Sequence, residues 1–114
     1  MNLVYYHGKE PLKIIQEQQK TILKTIVDSQ YKVILECIKN KSKSTHQISR
    51  ETGISISNTY RKLHELNKKK ILIVSGSITS DGKREFLYKS KIREIITELH
   101  EGKTVVKIYS NLRD

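Results

Sequence analysis

The chain has 114 residues, 36% apolar and 30% charged, enough for one domain with a modest core and too few for two. No apolar run approaches the length that spans a bilayer, residues 1–10 lack the pattern of a secretory leader, and a lone cysteine, Cys37, rules out an internal disulfide, so the expected compartment is the cytoplasm. Lysine and arginine number 22 against 12 acids, for a net charge of +10, and residues 39–70 hold nine of those bases with only two acids. So dense a local excess attracts a polyanion, because neutralising phosphates releases condensed counterions; it is equally the composition of a lysine-rich solubilising surface.

In chain order, residues 11–27 read as a helix. Pro11 suits a first turn, where its missing N–H is not needed, and Leu12, Ile15, Gln19, Ile22 and Ile26 recur at spacings of three and four. This stripe packs either in the protein's own core or in a seam with a second subunit, where Gln19 could set register. Asp28-Ser29 opens a second helix over 29–40, with Tyr31, Val33, Ile34, Leu35, Cys37 and Ile38 as a broad buried face. Residues 40–43 are a polar connection. Ser44-Thr45-His46-Gln47 has the form of a capping box, and Gly53 stops the short helix that it starts. Ser55 caps the next helix, over 55–70, in which Thr59, Leu63 and Leu66 face inward and the terminal lysines 68–70 suit the negative end of the dipole.

From Ile71 the period falls to two. Residues 71–91 read as a β-hairpin closed by the two-residue turn Asp81-Gly82, with Lys83 and Arg84 at the tip. Residues 92–99 fit either a helix face (Ile92, Ile95, Ile96, Leu99) or an alternating strand, and strand is favoured. Glu101-Gly102 then turns the chain into a strand over 104–109, built on Val105, Val106, Ile108 and Tyr109.

Helix, short capped helix, glycine turn, helix and basic-tipped hairpin follow one another over residues 29–91. The run 47–66, with Gly53-Ile54-Ser55 ahead of a helix ending in Leu63-x-x-Leu66, resembles the DNA-binding motif of prokaryotic winged helix-turn-helix regulators of the ArsR, MarR and TrmB type, and the whole chain looks most like a small archaeal regulator. The resemblance implies an α+β fold, a helical bundle with a β-hairpin wing, flanked by an N-terminal helical extension (1–28) and a C-terminal β segment (92–114). It implies sequence-specific binding of double-stranded DNA as a homodimer, with helix 55–70 in the major groove. Ser57, Asn58, Tyr60 and Arg61 would then reach base edges, Arg61 pairing with guanine and Asn58 with adenine. Ser44, Thr45, Ser55, Lys62, His64, Lys68, Lys83 and Arg84 would meet phosphates, which position the protein without specifying sequence. A capped helix pair with a glycine turn also occurs in proteins that never touch DNA, and a winged helix can serve as an RNA-binding or protein-interaction module.

Other chemistry finds little support. There is no Cys-x-Cys, and His7, His46, His64 and His100 show no close spacing suited to zinc, so no metal or cofactor is expected. No phosphate-cradling glycine loop or nucleophile elbow occurs, and Glu94, Glu98 and Glu101 read as a solvated face, so an enzyme is not expected. Residues 11–27 and 92–109, apolar and outside the motif, are the candidate dimer interface.

Overall fold

A computed structural model of the chain describes residues 2–7, 10–11, 24–25 and 27–111. Among them the architecture is α+β, with three helices, α1 (Ser29–Cys37), α2 (Thr45–Thr52) and α3 (Ile56–Lys68). Six strands accompany them: β1 (Asn2–His7), β2 (Glu10–Pro11), β3 (Leu72–Ile78), β4 (Arg84–Ser90), β5 (Ile92–His100) and β6 (Lys103–Ser110). β3 and β4 form one antiparallel hairpin, and the other four strands form a sheet in the order β2-β1-β6-β5. No helix among the described residues is long and apolar enough to cross a membrane.

Each helix begins at the residue whose side chain can replace a missing backbone partner. The Asp28 carboxylate accepts from the N–H groups of Gln30 (2.8 Å) and Tyr31 (3.4 Å) at the start of α1. Ser44 accepts from Gln47 N–H while the Gln47 side chain accepts from Ser44 N–H, completing the capping box of α2. Ser55 accepts from Asn58 N–H at the head of α3. Such caps contribute about 1 kcal/mol each. The helices then close on one another through Ile34, Ile38, Ile48, Leu63 and Leu66, all essentially inaccessible to solvent. Fully burying a side chain of this size is worth about 1.5–3 kcal/mol.

The turn between α2 and α3 is knitted by hydroxyls. Gly53 sits in the left-handed region (φ 76°), and its N–H donates to Ser49 C=O. The Ser49 hydroxyl donates to Ile54 C=O at 2.6 Å, the Thr52 hydroxyl to Ile48 C=O at 2.7 Å and the buried Thr59 hydroxyl to Ser55 C=O at 2.9 Å. Ile54 N–H in turn donates to the Thr52 hydroxyl. The apolar Ile54 side chain can therefore be buried in the turn without orphaning its backbone polar groups.

The β3–β4 hairpin departs from the expected two-residue turn. Gly82 N–H donates to Thr79 C=O, Gly82 has φ 83°, and Thr79 pairs with Lys83, so the loop is Ser80-Asp81-Gly82. This is the three-residue arrangement with a left-handed glycine in third place. The Thr79 hydroxyl decides for it, bonding the Asp81 carboxylate and accepting from Lys83 N–H. At the other end Lys43 and Tyr88 exchange both backbone hydrogen bonds (3.0 and 2.8 Å), so the chain entering α2 is laid against β4.

The expectation of strand over 92–99 and 104–109 holds, as β5 and β6. They are joined by Glu101 (φ 49°) and Gly102 (φ 75°), both left-handed as a tight hairpin turn requires. A register shift at Arg93 lets Ile92 and Ile95 share one face, with Ile108 opposite Ile95, and these three dock on the core beneath α1. Asn111 clasps the junction: its side-chain amide donates to Lys39 C=O (2.6 Å) and Ser90 C=O (2.9 Å).

The reading of the N-terminal part is corrected in two respects. Residues 2–7, not anticipated as a strand, are β1, parallel to β6 from Asn2 opposite Val105 to His7 opposite Ser110. Pro11 lies in β2, opposite Tyr6, and not in a first helical turn. β2 is an edge strand, where a missing N–H leaves no gap in the ladder. Lys24, Thr25 and Val27 are helical, while the apolar stripe from Leu12 to Ile26 lies outside the described residues.

Two substitutions test this account by denaturant unfolding. Leu66→Ala should cost about 2–5 kcal/mol, the range for emptying a closed aliphatic site. Gly53→Ala should cost about 1–2 kcal/mol from backbone strain alone, since nothing lies within 4 Å of the position its Cβ would take. An unchanged midpoint for Gly53→Ala would mean that the turn is not left-handed.

Candidate nucleic-acid interface

The inward residues of α3 determine what the helix can present. Thr59, Leu63 and Leu66 are buried, as their spacing predicts, which leaves Ser57, Tyr60, Arg61, His64 and Lys68 exposed along the opposite side. Asn58 is half-buried, and its carboxamide oxygen accepts from the Arg61 guanidinium at 3.0 Å. Two of the four groups expected to read bases are thus held together on one turn. Tyr60, 51% exposed, meets His46 of α2 edge-on with ring centroids 6.4 Å apart, which brings the first turn of α2 alongside the first turns of α3.

Three residues expected at phosphates are placed differently. Lys62 is only 8% exposed. Its ammonium lies 4.4 Å above the Tyr31 ring centre and 3.9 Å from the Asp28 carboxylate, in the contact between α1 and α3. A lysine one residue from the inward Leu63 can lay its stem across the neighbouring helix and find a carboxylate and an aromatic face there. Ser44 and Thr45 are buried as well. The Ser44 hydroxyl is occupied by the capping box, and the Thr45 side chain is hydrogen-bonded to the Tyr88 phenol. Ser55, His64, Lys68, Lys83 and Arg84 remain exposed.

Of the basic groups not assigned to phosphates, Lys69 joins Lys62 at Tyr31 and His46 lies on the exposed side. Lys69 is half-buried, 5.5 Å from the Tyr31 ring centre, with its ammonium donating to the Thr25 hydroxyl. His46, read in the sequence as part of the capping box and set aside as a zinc ligand, is exposed because Thr45 and Ile48 take the inner face of α2. Its place two residues after the Ser44 cap was the available signal. Burial pushes the phenols of Tyr31 and Tyr88 above the usual range, and the proximity of the Tyr60 phenol adds to the rise at Tyr88. These phenols stay protonated, able to donate, throughout the physiological range.

A concavity of about 960 Å³, open to solvent, lies between α1, the end of α2 and the start of β5. Cys37 is on its wall with the Lys43 ammonium 3.7 Å from Sγ, and Lys43 is paired with Glu51 at 2.9 Å. Burial raises the Cys37 thiol, and the Lys43 charge opposes that rise without cancelling it, so the sulfur is a poor nucleophile. The hydrogen bond to Glu51 correspondingly holds Lys43 charged. Among the described residues no group of three or more histidines, cysteines or carboxylates could hold a metal ion. The arrangement offers donors and positive charge on one surface, suited to binding an anionic partner. No protein-family model matches the chain, and no curated protein matches it.

Proposed function

We propose that the protein is a winged-helix, sequence-specific binder of double-stranded DNA that acts as a homodimeric transcription regulator. The observation that carries this reading is the exposed row Ser57, Tyr60, Arg61, His64 and Lys68 on α3, with the half-buried Asn58 beside it, next to a hairpin tipped with Lys83 and Arg84. Much of that surface belongs to the segment 39–70, where the positive charge is densest. In this reading α3 lies in the major groove, α2 crosses the backbone and the β3–β4 tip rests on neighbouring phosphates. Asn58 holds the Arg61 fork before contact, which reduces the rotamer freedom lost when Arg61 meets a guanine edge. Ser55, His64, Lys68, Lys83 and Arg84 supply phosphate contacts, and Lys62 serves stability instead.

A single unit of this size reads only a few base pairs, and two related by a two-fold axis read half-sites roughly 34–36 Å apart. The sheet β2-β1-β6-β5 is the candidate interface. β5 is the edge strand opposite β2, and Leu99 stands 77% exposed on it.

Fluorescence anisotropy against fragmented genomic duplex, with single-stranded RNA as control and across a salt series, tests the reading. A small subset of fragments should bind tightly near physiological salt; equal and steeply salt-sensitive binding to every fragment, or a preference for RNA, would overturn it. Arg61→Ala should cost about 1–3 kcal/mol at the preferred site and relax choice at one base position. Lys83→Ala with Arg84→Ala should shallow the salt dependence by about two phosphates' worth. Lys62→Ala should lower the unfolding midpoint and leave that slope unchanged. Sedimentation should find a dimer, which Leu99→Asp should weaken; a monomer at all concentrations would remove the two-fold model.

A further inference from the structure

The hairpin carries an apolar surface that none of these contacts uses. Val74 is 38%, Ile78 75% and Phe86 58% exposed, although all three are large and apolar. The ladder places them on one face. Leu72 is opposite Ser90, Val74 opposite Tyr88, Gly76 opposite Phe86 and Ile78 opposite Arg84, and residues that face each other or alternate along a strand share a side. At the base of the hairpin this face is core, since Leu72 and Ser90 are buried. Further out it passes the helices and continues uncovered. Gly76 brings no side chain to cover Phe86 from across the ladder, and nothing lies within 4 Å of the position its Cβ would occupy.

The face is continuous with the outer surface of α3. Tyr88, next to Phe86 on this side, is half-buried and bonded to Thr45 at the head of α2. Its backbone exchanges hydrogen bonds with Lys43 just ahead of α2, and His46 in the first turn of α2 meets Tyr60 edge-on. A partner lying along α3 is therefore led by Tyr60, His46 and Tyr88 to Phe86 and then to Ile78. The open end of the row is flanked by Lys83 and Arg84. The row ends at two bases and continues a surface of α3 whose exposed residues include Arg61 and Lys68 and no carboxylate, so its charge favours an anionic partner. Duplex DNA offers the matching chemistry: phosphate rails flanking a groove about 6 Å wide, with sugars and base stacks between them.

We propose that Phe86, backed by Ile78 and Val74, is an apolar wedge that enters the minor groove beside the major groove held by α3, while Lys83 and Arg84 sit on the flanking phosphates. The inference rests on the DNA-binding reading above. A side chain of this kind unstacks a base step, and the distorted duplex then meets more of the protein. It would favour flexible pyrimidine–purine steps at a fixed distance from the bases read by Arg61.

The test uses the full chain and the genomic duplex fragment that binds it tightest, labelled with fluorescein, and the same duplex with 2-aminopurine replacing successive adenines outside the α3 site. Phe86→Ala should weaken binding on the order of ten-fold with the salt slope unchanged, and Phe86→Tyr should restore binding. The wild-type protein should raise 2-aminopurine fluorescence at one step, and Phe86→Ala should not. Circular dichroism should show both variants folded, since Phe86 is exposed. Wild-type affinity in Phe86→Ala would overturn the wedge, as would a loss of affinity traced by sedimentation to a lost dimer. If the double variant of Lys83 and Arg84 still shallows the slope while Phe86→Ala changes nothing, DNA binding stands and the wedge alone falls. If no duplex binds the wild-type protein, both fall together.

Discussion

A left-handed backbone at Gly53 turns the chain between α2 and α3, and the relative placement of the exposed side chains follows from that turn. Helices of eight and thirteen residues are too short to hold a defined angle through propensity alone. What holds it is a buried isoleucine at the corner whose peptide groups are satisfied by two hydroxyl side chains, Ser49 and Thr52. A buried carbonyl left without a donor costs about 1–3 kcal/mol, so the hydroxyls penalise any other path for the chain. Tyr60 then comes beside His46, and the end of α3 delivers the chain to β3 through Ile71, whose N–H donates to Leu66 C=O.

The same economy divides α3 lengthwise. Its inner side holds threonine and leucines, and its outer side is polar with one large aromatic. Lys62 lies at the boundary and shows that a basic residue on a charged helix is not necessarily surface charge. Its stem crosses to α1, where Tyr31 offers a π face and Asp28, already the cap of α1, offers a carboxylate. One carboxylate thereby starts one helix and ties it to another. The loss of Lys62 from the outer surface leaves the positive potential to Arg61, Lys68 and the hairpin tip.

Features set by neighbours in sequence were legible in the sequence. The capping box at Ser44, the stop at Gly53, the spacing of Thr59, Leu63 and Leu66 and the change of period at Ile71 each depend on residues a few positions apart. The hairpin turn was found at the right place but with the wrong loop, because Asp81-Gly82 satisfies two turn types and the choice lies with the Thr79 hydroxyl. β1 was missed because parallel pairing leaves no local sign, and Pro11 resembled a helix start for the same want of context. Alternation put Val74 and Ile78 on one side of β3, but a two-residue turn would have set Phe86 on the other side; the three-residue loop brings it opposite Gly76, and the reach of the helices decides where that face leaves the core. Of the residues assigned to DNA, the exposed ones on α3 followed from helical spacing. Burial of Ser44, Thr45 and Lys62 required knowledge of Tyr88 and Tyr31, which are distant in sequence.

The pairing of β1 with β6 has a consequence for the order in which the molecule forms. It joins positions roughly a hundred residues apart, from Asn2 with Val105 to His7 with Ser110. The helices and the β3–β4 hairpin depend on much nearer contacts. Loop closure becomes costlier with chain length, and distant pairings tend to form late. On a ribosome β1 leaves the exit tunnel about a hundred residues ahead of its partner. Throughout that interval its backbone donors and acceptors lack their final ladder, so the helical unit, assembled in the meantime, becomes the scaffold that shortens the search when β6 arrives. Asn111, bonded to both Lys39 and Ser90, then registers the late sheet against the earlier fold.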